Sequence, residues 1–326
     1  MSGEKKKITW ISILQGFTML LVVVGHSDLA QRDTIEWTGA LYEFFQPFRM
    51  PLFLFISGYL FYLTRIAKHK SYGFVVGDKL KRLGIPLLCF TIIGVGFKFL
   101  ASSFVKNPID VTGPLDIVLM LIGLKTNALS ALWFVQVTLL LMMFYPLYQV
   151  VLRNKWVTIS AVTILLLAHY FFPVGIDLLL ISKAVHLWIF FFAGMVLGAY
   201  RLDRFLSSSV WASVLCIGLY VALYLLGLKG LLMSIMGIIM SLNMAHCIER
   251  YIPSMFRSFR NYTYQIYLMS IFPQMAIEMI YRYIGCEYFG VFYLVNIAVG
   301  LYFPILVVRI VERLNWKWAR MLIGLS

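Results

Sequence analysis

Long apolar stretches alternate with short polar segments along nearly the whole chain. Each apolar stretch approaches the roughly 20 residues that an α-helix needs to cross about 30 Å of hydrocarbon. The pattern predicts an all-α, polytopic bundle of about ten transmembrane helices, at residues 8–28, 41–64, 84–104, 131–152, 156–173, 184–200, 209–227, 230–248, 263–284 and 289–312. Of the less regular segments, 114–124 is typical of a re-entrant or interfacial helix. No linker or repeat interrupts the pattern, so a single integral membrane domain is expected over 1–326.

Composition supports a membrane protein and excludes other classes. Hydrophobic residues make up 61% of the 326 residues and charged residues only 13%, too few to cover a soluble protein of this length. The net charge is +14, but the basic residues fall in short loops between apolar stretches, so no nucleic-acid partner is expected. The four cysteines are scattered without the spacing of metal ligands, so the sequence gives no reason to expect a metal or disulfides.

The positions of lysine and arginine predict the orientation in the membrane. Cytoplasmic loops carry an excess of these residues. With both termini in the cytoplasm, most of the 28 basic residues fall on that side. They are Lys5, Lys6, Lys7, Arg65, Lys68, Lys70, Lys79, Lys81, Arg82, Arg153, Lys155, Arg201, Arg204, Arg250, Arg257, Arg260, Arg309, Arg313, Lys317 and Arg320. The sequence therefore predicts a multi-pass protein with both ends cytoplasmic.

Polar side chains recur near the predicted outer ends of five spans. Gln15 and His26 share one face of the first span because eleven residues are about three helical turns, roughly 16 Å along the axis. Ionisable groups at membrane depth are costly and usually functional, which points to a polar cavity open to the exterior. The side chains at this depth are His26, Asp28, Glu43, Arg49, Lys98, Trp133 and Glu278. Asp28 also fits a solvated helix end, and Lys98 a side chain that reaches the interface.

Two further features suggest sites. Pro47 and Pro51 bracket Arg49 and predict a kink whose freed carbonyls line the cavity. We expect Arg49 to pair with Glu43, Glu278 or bound substrate. On the cytoplasmic side, Lys79 and Arg82 are three residues apart, share a helical face, and suit phosphate binding. On spacing alone, ordinary topology charge or contact with anionic membrane lipids is the simpler explanation of this pair.

Several stretches resemble the integral membrane acyltransferase family 3, which includes O-acetyltransferases of bacterial surface polysaccharides. The resemblance covers most of the chain, and its specificity comes from the order and spacing of motifs that are weak singly. The stretches are LQGFTMLLVVVGHS at 14–27, FRMPLFLFISGYLF at 48–61, KLKRLGIPLL at 79–88, ALWFVQVTLLLMMFYPL at 131–147 and, more weakly, YTYQIYLMS at 262–270.

The chain departs from the family pattern at four positions. The family usually has a basic residue where Gln15 stands, and one hypothesis is that Arg49 supplies the missing cation. It often has histidine at the positions of Arg49 and Ser270, and arginine at that of Lys79. Lysine keeps the charge of arginine but loses its bidentate fork.

The resemblance implies acyl transfer across the bacterial cytoplasmic (inner) membrane. Acetyl-CoA would be the donor, no cofactor would be bound permanently, and a surface glycan or lipid-linked saccharide would be the acceptor. The implied catalytic residues are His26, Arg49 and Glu43, the donor-binding residues are Gln15, Lys79 and Arg82, and the acceptor-binding residues are Asp28, Trp133, Tyr267 and Glu278. His26 acts either as a general base or as a nucleophile that carries the acyl group. Trp133 fits a membrane-interface belt as well as it fits sugar stacking.

Two other classes stay open at this point. A secondary transporter also uses buried histidine, arginine and glutamate, but it favours internal repeats and paired broken helices. A non-catalytic component of glycan export or synthesis is the other, and the departure at Gln15 favours it. Loss of alkali-labile acetyl esters on gene deletion would indicate a transferase, whereas loss of the glycan itself would indicate export.

Overall fold

The computed structural model describes residues 8–27, 35–100, 113–173, 178–285 and 288–325. Every regular element in these ranges is helical, which confirms the all-α prediction. The α-helices are α1 Thr9–Val24, α2 Glu36–Phe61, α3 Tyr72–Lys79, α4 Ile85–Leu100, α5 Pro114–Leu121, α6 Trp133–Met143, α7 Tyr145–Val151, α8 Lys155–Phe171, α9 Ile181–Ala199, α10 Val210–Leu225, α11 Leu231–Tyr251, α12 Thr263–Met269, α13 Ile271–Ile284, α14 Phe289–Arg313 and α15 Lys317–Leu322.

Each of the ten predicted apolar stretches coincides with helical structure, and two of them are broken. The fourth stretch bends by 56° between α6 and α7, where Pro146 cannot donate to the preceding helix. The ninth stretch changes from α12 to α13 after Met269, four residues before Pro273. Pro273 lacks the N–H that would bond to the carbonyl of Met269, so the break coincides with this missing hydrogen bond.

Several helices are long and apolar enough to cross a membrane. They are Tyr72–Phe99, Leu178–Ala199, Leu231–Tyr251 and Phe289–Arg313, and the bent pair α6 and α7 makes a fifth if it is one span. The helices α1, α8 and α10 are apolar but shorter. The described residues thus contain membrane-spanning helices, whereas the count of about ten spans and the cytoplasmic termini stay predictions.

The chain divides into two compact units. The first contains Met1–Ile56 and Arg201–Ile305, and the second contains Ser57–Tyr200 and Leu306–Ser326. Compactness alone does not make either unit an independent domain, so the single domain predicted over 1–326 stays a prediction.

In the first unit, α1 packs against α11 and α12, and α10 packs against α11. The start of α1 is anchored to α11 by its second residue. The backbone N–H of Trp10 donates to Oε1 of Glu249 over 3.1 Å, and the indole stacks on His246 with 4.5 Å between ring centroids. Nearly two turns later, Gly16 allows close approach of the segment after α11, because a Cβ there would lie 2.7 Å from Cβ of Phe256. The position of α1 is therefore fixed well before it reaches its last turn.

In the second unit, α8 and α9 pair, α6 packs against α9, and α4 packs against α5. Two five-residue π-helical segments, Tyr62–Ile66 and Leu80–Gly84, flank a basic loop and the short helix α3. Between them, Arg65 and Asp78 form an ion pair of 2.5 Å. Single π-helical turns are rare and frequently lie at functional sites, so this region is the second place where chemistry is to be sought.

Candidate functional site

His26 lies on the turn that ends α1, in the first unit. Its backbone N–H donates to the carbonyl of Val23 over 3.1 Å, and its side chain is partly buried. Gly25 precedes it with φ −70° and ψ −5°, an ordinary right-handed helical conformation. His26 therefore continues the helical path for one turn beyond Val24, at the end of the otherwise apolar helix where the sequence placed it.

Arg49 of α2 lies directly beside that turn. Its side chain is only 7% exposed, and its Cζ lies 5.0 Å from the ring centroid of Tyr42, seven residues earlier on the same helical face. A Cβ added to Gly25 would overlap Nη1 of Arg49 and lie 2.9 Å from its Cζ. The guanidinium thus packs against the backbone immediately before His26, and the absence of a side chain at Gly25 makes room for it.

The prolines around Arg49 behave differently from the prediction. α2 continues unbroken through Pro47 and Pro51, so neither proline ends the helix. Pro51 cannot donate to the carbonyl of Pro47, four residues earlier, and this carbonyl accepts a 2.5 Å hydrogen bond from Oγ of Ser234 on α11. One turn earlier, the carbonyl of Phe44 accepts from the hydroxyl of Tyr220 over 2.6 Å. The expectation that freed carbonyls line a cavity is therefore wrong for Pro47, whose carbonyl bonds to a neighbouring helix.

The N-terminal half of α2 is also held by aromatic packing. Phe48 is fully buried, and a Cβ on Gly237 of α11 would overlap its ring. Phe44 and Phe48 both pack edge-to-face on Tyr220, with ring centroids 5.1 and 5.3 Å apart. The contacts with α10 and α11 fix the rotation of α2 about its axis, and with it the direction of Arg49.

Two amides that sequence reasoning did not single out hold the turn carrying His26. Nε2 of Gln274, on α13, donates to the carbonyl of Val23 over 3.0 Å and to Oγ of Ser27 over 2.8 Å. Nδ2 of Asn296, on α14, donates to the carbonyl of Ser27 over 3.0 Å. Gln274, Asn296 and Ser27 are all at most 2% exposed. An amide inside an apolar span is a usable sequence signal, and it singled out Gln15 but neither of these two residues.

Aromatic side chains also pack against the end of α1. Phe289, Phe292 and Tyr293 form a buried cluster in contact with Val24, the last residue of α1. The ring of Tyr281 stacks on Phe292 with 4.2 Å between centroids. The end of α1 is therefore enclosed by α13 and α14 through both apolar and hydrogen-bonded contacts.

The other predicted residues of the first unit are placed less favourably for their roles. Glu43 is exposed on α2 and, six residues before Arg49, faces a different direction, whereas Glu278 lies one turn after Gln274 on the face of α13 that meets α1. Tyr267 is 4% exposed and packs on Phe53, so sugar stacking requires rearrangement. Gln15 is partly buried in the middle of α1. Asp28 lies outside the described residues, and all these roles stay predictions.

The second unit contains the predicted donor residues. Lys79 is partly buried with Nζ 5.7 Å from the ring centroid of Phe61, whereas Arg82 is exposed on the π-helical segment Leu80–Gly84. Lys79 ends α3 and Arg82 lies on the π-helical segment that follows, and the face that the two side chains were predicted to share stays a prediction. Trp133 begins α6, and Nζ of Lys183 lies 5.4 Å from its ring centroid.

A cavity of about 200 Å³ lies in the second unit, beside the first π-helical segment. His69, Gln149 and Arg153 are its polar lining residues. His69 has φ +48°, a left-handed conformation uncommon for residues other than glycine. The cavity therefore brings a histidine and an arginine together, but it contains none of the predicted donor residues.

No three histidine, cysteine, aspartate or glutamate side chains come together as metal ligands within the part of the chain that the structure describes.

Comparison with known proteins identifies one family. A family model described as an acyltransferase domain, that of acyltransferase family 3, matches residues 8–324 and thus nearly the whole chain. No curated protein and no solved structure matches the chain significantly.

Proposed function

Because the chain belongs to acyltransferase family 3, we propose that it is a membrane-embedded O-acetyltransferase that uses His26 and Arg49 for the transfer. The donor is acetyl-CoA on the cytoplasmic side of a bacterial inner membrane. The acceptor is a hydroxyl group of a surface glycan or of its lipid-linked precursor. The observation that carries this proposal is the packing of the Arg49 guanidinium against Gly25, next to His26.

The chemistry that these two side chains supply is complementary. Imidazole takes and returns protons near neutral pH, and so it suits the activation of a sugar hydroxyl. The hydroxyl oxygen attacks the thioester carbonyl carbon while its proton passes to His26. The carbonyl oxygen then becomes an oxyanion, and a guanidinium within reach stabilises it. When the C–S bond breaks, the departing CoA thiolate takes the proton from the imidazolium, and the acetyl ester remains on the sugar.

A second route is consistent with the same residues. His26 attacks the thioester first, the CoA thiol leaves, and the acetyl group on the imidazole passes to the sugar hydroxyl. Arg49 has the same task in both routes, because each passes through an oxyanion on the acetyl carbon. The burial of Arg49 supports this assignment, since a buried cation is costly to maintain and such groups in membrane proteins mark functional sites.

The donor is proposed to bind through the exposed basic side chains of the second unit. Arg82 is accessible on a π-helical segment, and its guanidinium suits phosphate oxygens. Lys79 packs against Phe61, so we propose that its charge attracts the phosphates from a partly buried position. The phosphates of acetyl-CoA are the chemistry that such a surface recognises.

The proposal is tested by following labelled acetyl groups. Inverted membrane vesicles are prepared from cells that make the native surface glycan, supplied with labelled acetyl-CoA, and assayed for alkali-labile label. We expect His26→Ala to lose nearly all transfer at matched expression. His246→Phe is the matched control, because His246 stacks on Trp10 at the opposite end of α1 and phenylalanine keeps this contact.

Retained transfer by His26→Ala would refute the role of the imidazole. Loss of the glycan itself on deletion of the gene, rather than loss of its esters, would instead favour an export component.

A further inference from the structure

The turn that carries His26 is held by side chains from two other helices, although a helix end needs no such help where water can reach it. The last carbonyls of any α-helix have no partner within the helix. Here, the carbonyl of Val23 accepts from the N–H of His26, from Oγ of Ser27 at 2.8 Å and from Nε2 of Gln274 at 3.0 Å. Three donors on one carbonyl fix the backbone at Val23, three residues before His26.

The second anchor lies on the other side of His26. Nδ2 of Asn296 donates to the carbonyl of Ser27, the residue directly after His26. The hydroxyl of Tyr293, one turn earlier on α14, reaches the carbonyl of Val24 at 3.4 Å. The backbone is therefore held on both sides of His26, at Val23 and Val24 before it and at Ser27 after it, by side chains of α13 and α14.

The orientation of both amides follows from the groups they face. A backbone carbonyl only accepts, so the nitrogen of each amide must point toward the turn. The oxygens Oε1 of Gln274 and Oδ1 of Asn296 are buried and have no hydrogen-bond donor within the described residues. A buried acceptor without a donor costs about 1–3 kcal/mol, so these amides are a poor choice if stability is their only purpose.

From this geometry we infer that Gln274 and Asn296 are positioning residues. They fix the turn Gly25–Ser27 and thereby hold His26 in the orientation that it needs for transfer. The inference rests on the proposed catalytic role of His26. Gly300 belongs to the same arrangement, because a Cβ there would lie 3.0 Å from Cδ of Gln274 and 2.9 Å from Cγ1 of Val23. The amide of Gln274 therefore fits only because α14 has no side chain at that position.

Positioning has a kinetic consequence that distinguishes it from binding. Misplacement of a reacting group by about 1 Å can cost on the order of 10²-fold in rate, without any change in substrate contacts. We expect Gln274→Met, which keeps the side-chain volume and removes the donor, to lower kcat by roughly 10- to 100-fold while KM for acetyl-CoA stays unchanged. Asn296→Leu should have the same signature.

The two amides should also act as a unit. Both fix one turn, so the double variant Gln274→Met with Asn296→Leu should lose less than the product of the single losses. In a His26→Ala background, neither substitution should lower the residual transfer any further. A purely structural role would give additive losses in stability and would not depend on His26.

The chain offers a matched control. Gln136 is similarly buried, and its Nε2 donates to the carbonyls of Met120 and Leu121, at the end of α5, over 2.7 and 3.0 Å. Gln136→Met removes the same chemistry from another helix end, so it should affect stability alone and leave kcat within about twofold. If Gln274→Met does not accumulate in the membrane, Gly300→Ala replaces it, because the added methyl group displaces the Gln274 amide.

The outcomes distinguish failure of the positioning inference from failure of the proposed function. Near-normal kcat in Gln274→Met or Gly300→Ala, together with loss of transfer in His26→Ala, would overturn the positioning inference and leave the proposed function standing. Full transfer in His26→Ala would refute the proposed function, and the positioning inference with it. A fall in kcat for Gln136→Met as large as that for Gln274→Met would also overturn the inference, because any buried glutamine would then suffice.

Discussion

The packing of Arg49 against Gly25 gives the most specific prediction, which is that Gly25→Ala disables transfer by moving Arg49. Gly25 has φ −70° and ψ −5°, which alanine adopts without strain, so the backbone tolerates the change. The added Cβ, however, overlaps Nη1 of Arg49 and lies 2.9 Å from its Cζ. Non-bonded carbon contacts are relaxed at about 3.5–4.0 Å, so Cζ must retreat by roughly 0.6–1.1 Å and the overlapping Nη1 by more than that.

The size of the effect follows from where this displacement falls. The clash involves the end of a flexible side chain, so the fold absorbs it more cheaply than the 1–3 kcal/mol typical of overpacking in a rigid core. An electrostatic group displaced by about 1 Å from a reacting centre loses up to about 10²-fold in rate. We therefore expect Gly25→Ala to lower the initial rate of transfer by 10- to 100-fold, with the thermal unfolding midpoint shifted by only a few degrees.

The assay compares initial rates of label transfer from acetyl-CoA to alkali-labile ester in inverted vesicles, at equal amounts of folded protein. Gly218→Ala is the control, since a Cβ at Gly218, on α10, meets nothing within 4 Å. Arg49→Gln should match Gly25→Ala, and the double variant should be no worse than Arg49→Gln alone, because both changes remove one guanidinium. A rate for Gly25→Ala within twofold of wild type would refute the reasoning that Arg49 must lie against this turn.

Two further predictions concern the support of the site and the donor surface. Ser234→Ala leaves the carbonyl of Pro47 buried without its donor and should lower the free energy of unfolding by about 1 kcal/mol, measured by thermal unfolding in detergent. Ser241→Ala on the same helix, whose hydroxyl bonds only to its own helix at Gly237, should be near neutral, and an equal loss in both would contradict the account. Arg82→Ala should raise KM for acetyl-CoA by about two- to fivefold with kcat unchanged, the range expected for an exposed ion pair of up to about 1 kcal/mol. Arg204→Ala, another exposed cation, should leave KM as it is, and an unaltered KM in Arg82→Ala would make that side chain ordinary topology charge.

The sequence alone determined the helical architecture, because the length of an apolar stretch is a local property. A stretch of about 20 apolar residues is long enough to cross the membrane as a helix. All ten predicted stretches coincide with helices, but proline alone did not decide the breaks, since helices break near Pro146 and Pro273 and continue through Pro47 and Pro51. The sequence also identified the family, which the match to residues 8–324 confirms, and it singled out His26 and Arg49.

The tertiary structure decided how these residues meet, and here local rules failed for identifiable reasons. Proline chemistry predicted a freed carbonyl at Pro47, but only the packing of α11 shows that Ser234 takes it. The predicted face shared by Lys79 and Arg82 assumed a continuous α-helix, whereas the structure places Arg82 on a π-helical segment that residue type does not reveal. Gln274 and Asn296 are about 250 residues from His26 in the sequence, and no local pattern links amides to a turn so far away. Local patterns determine which segments become helices, whereas the contacts that orient an imidazole depend on which helices become neighbours.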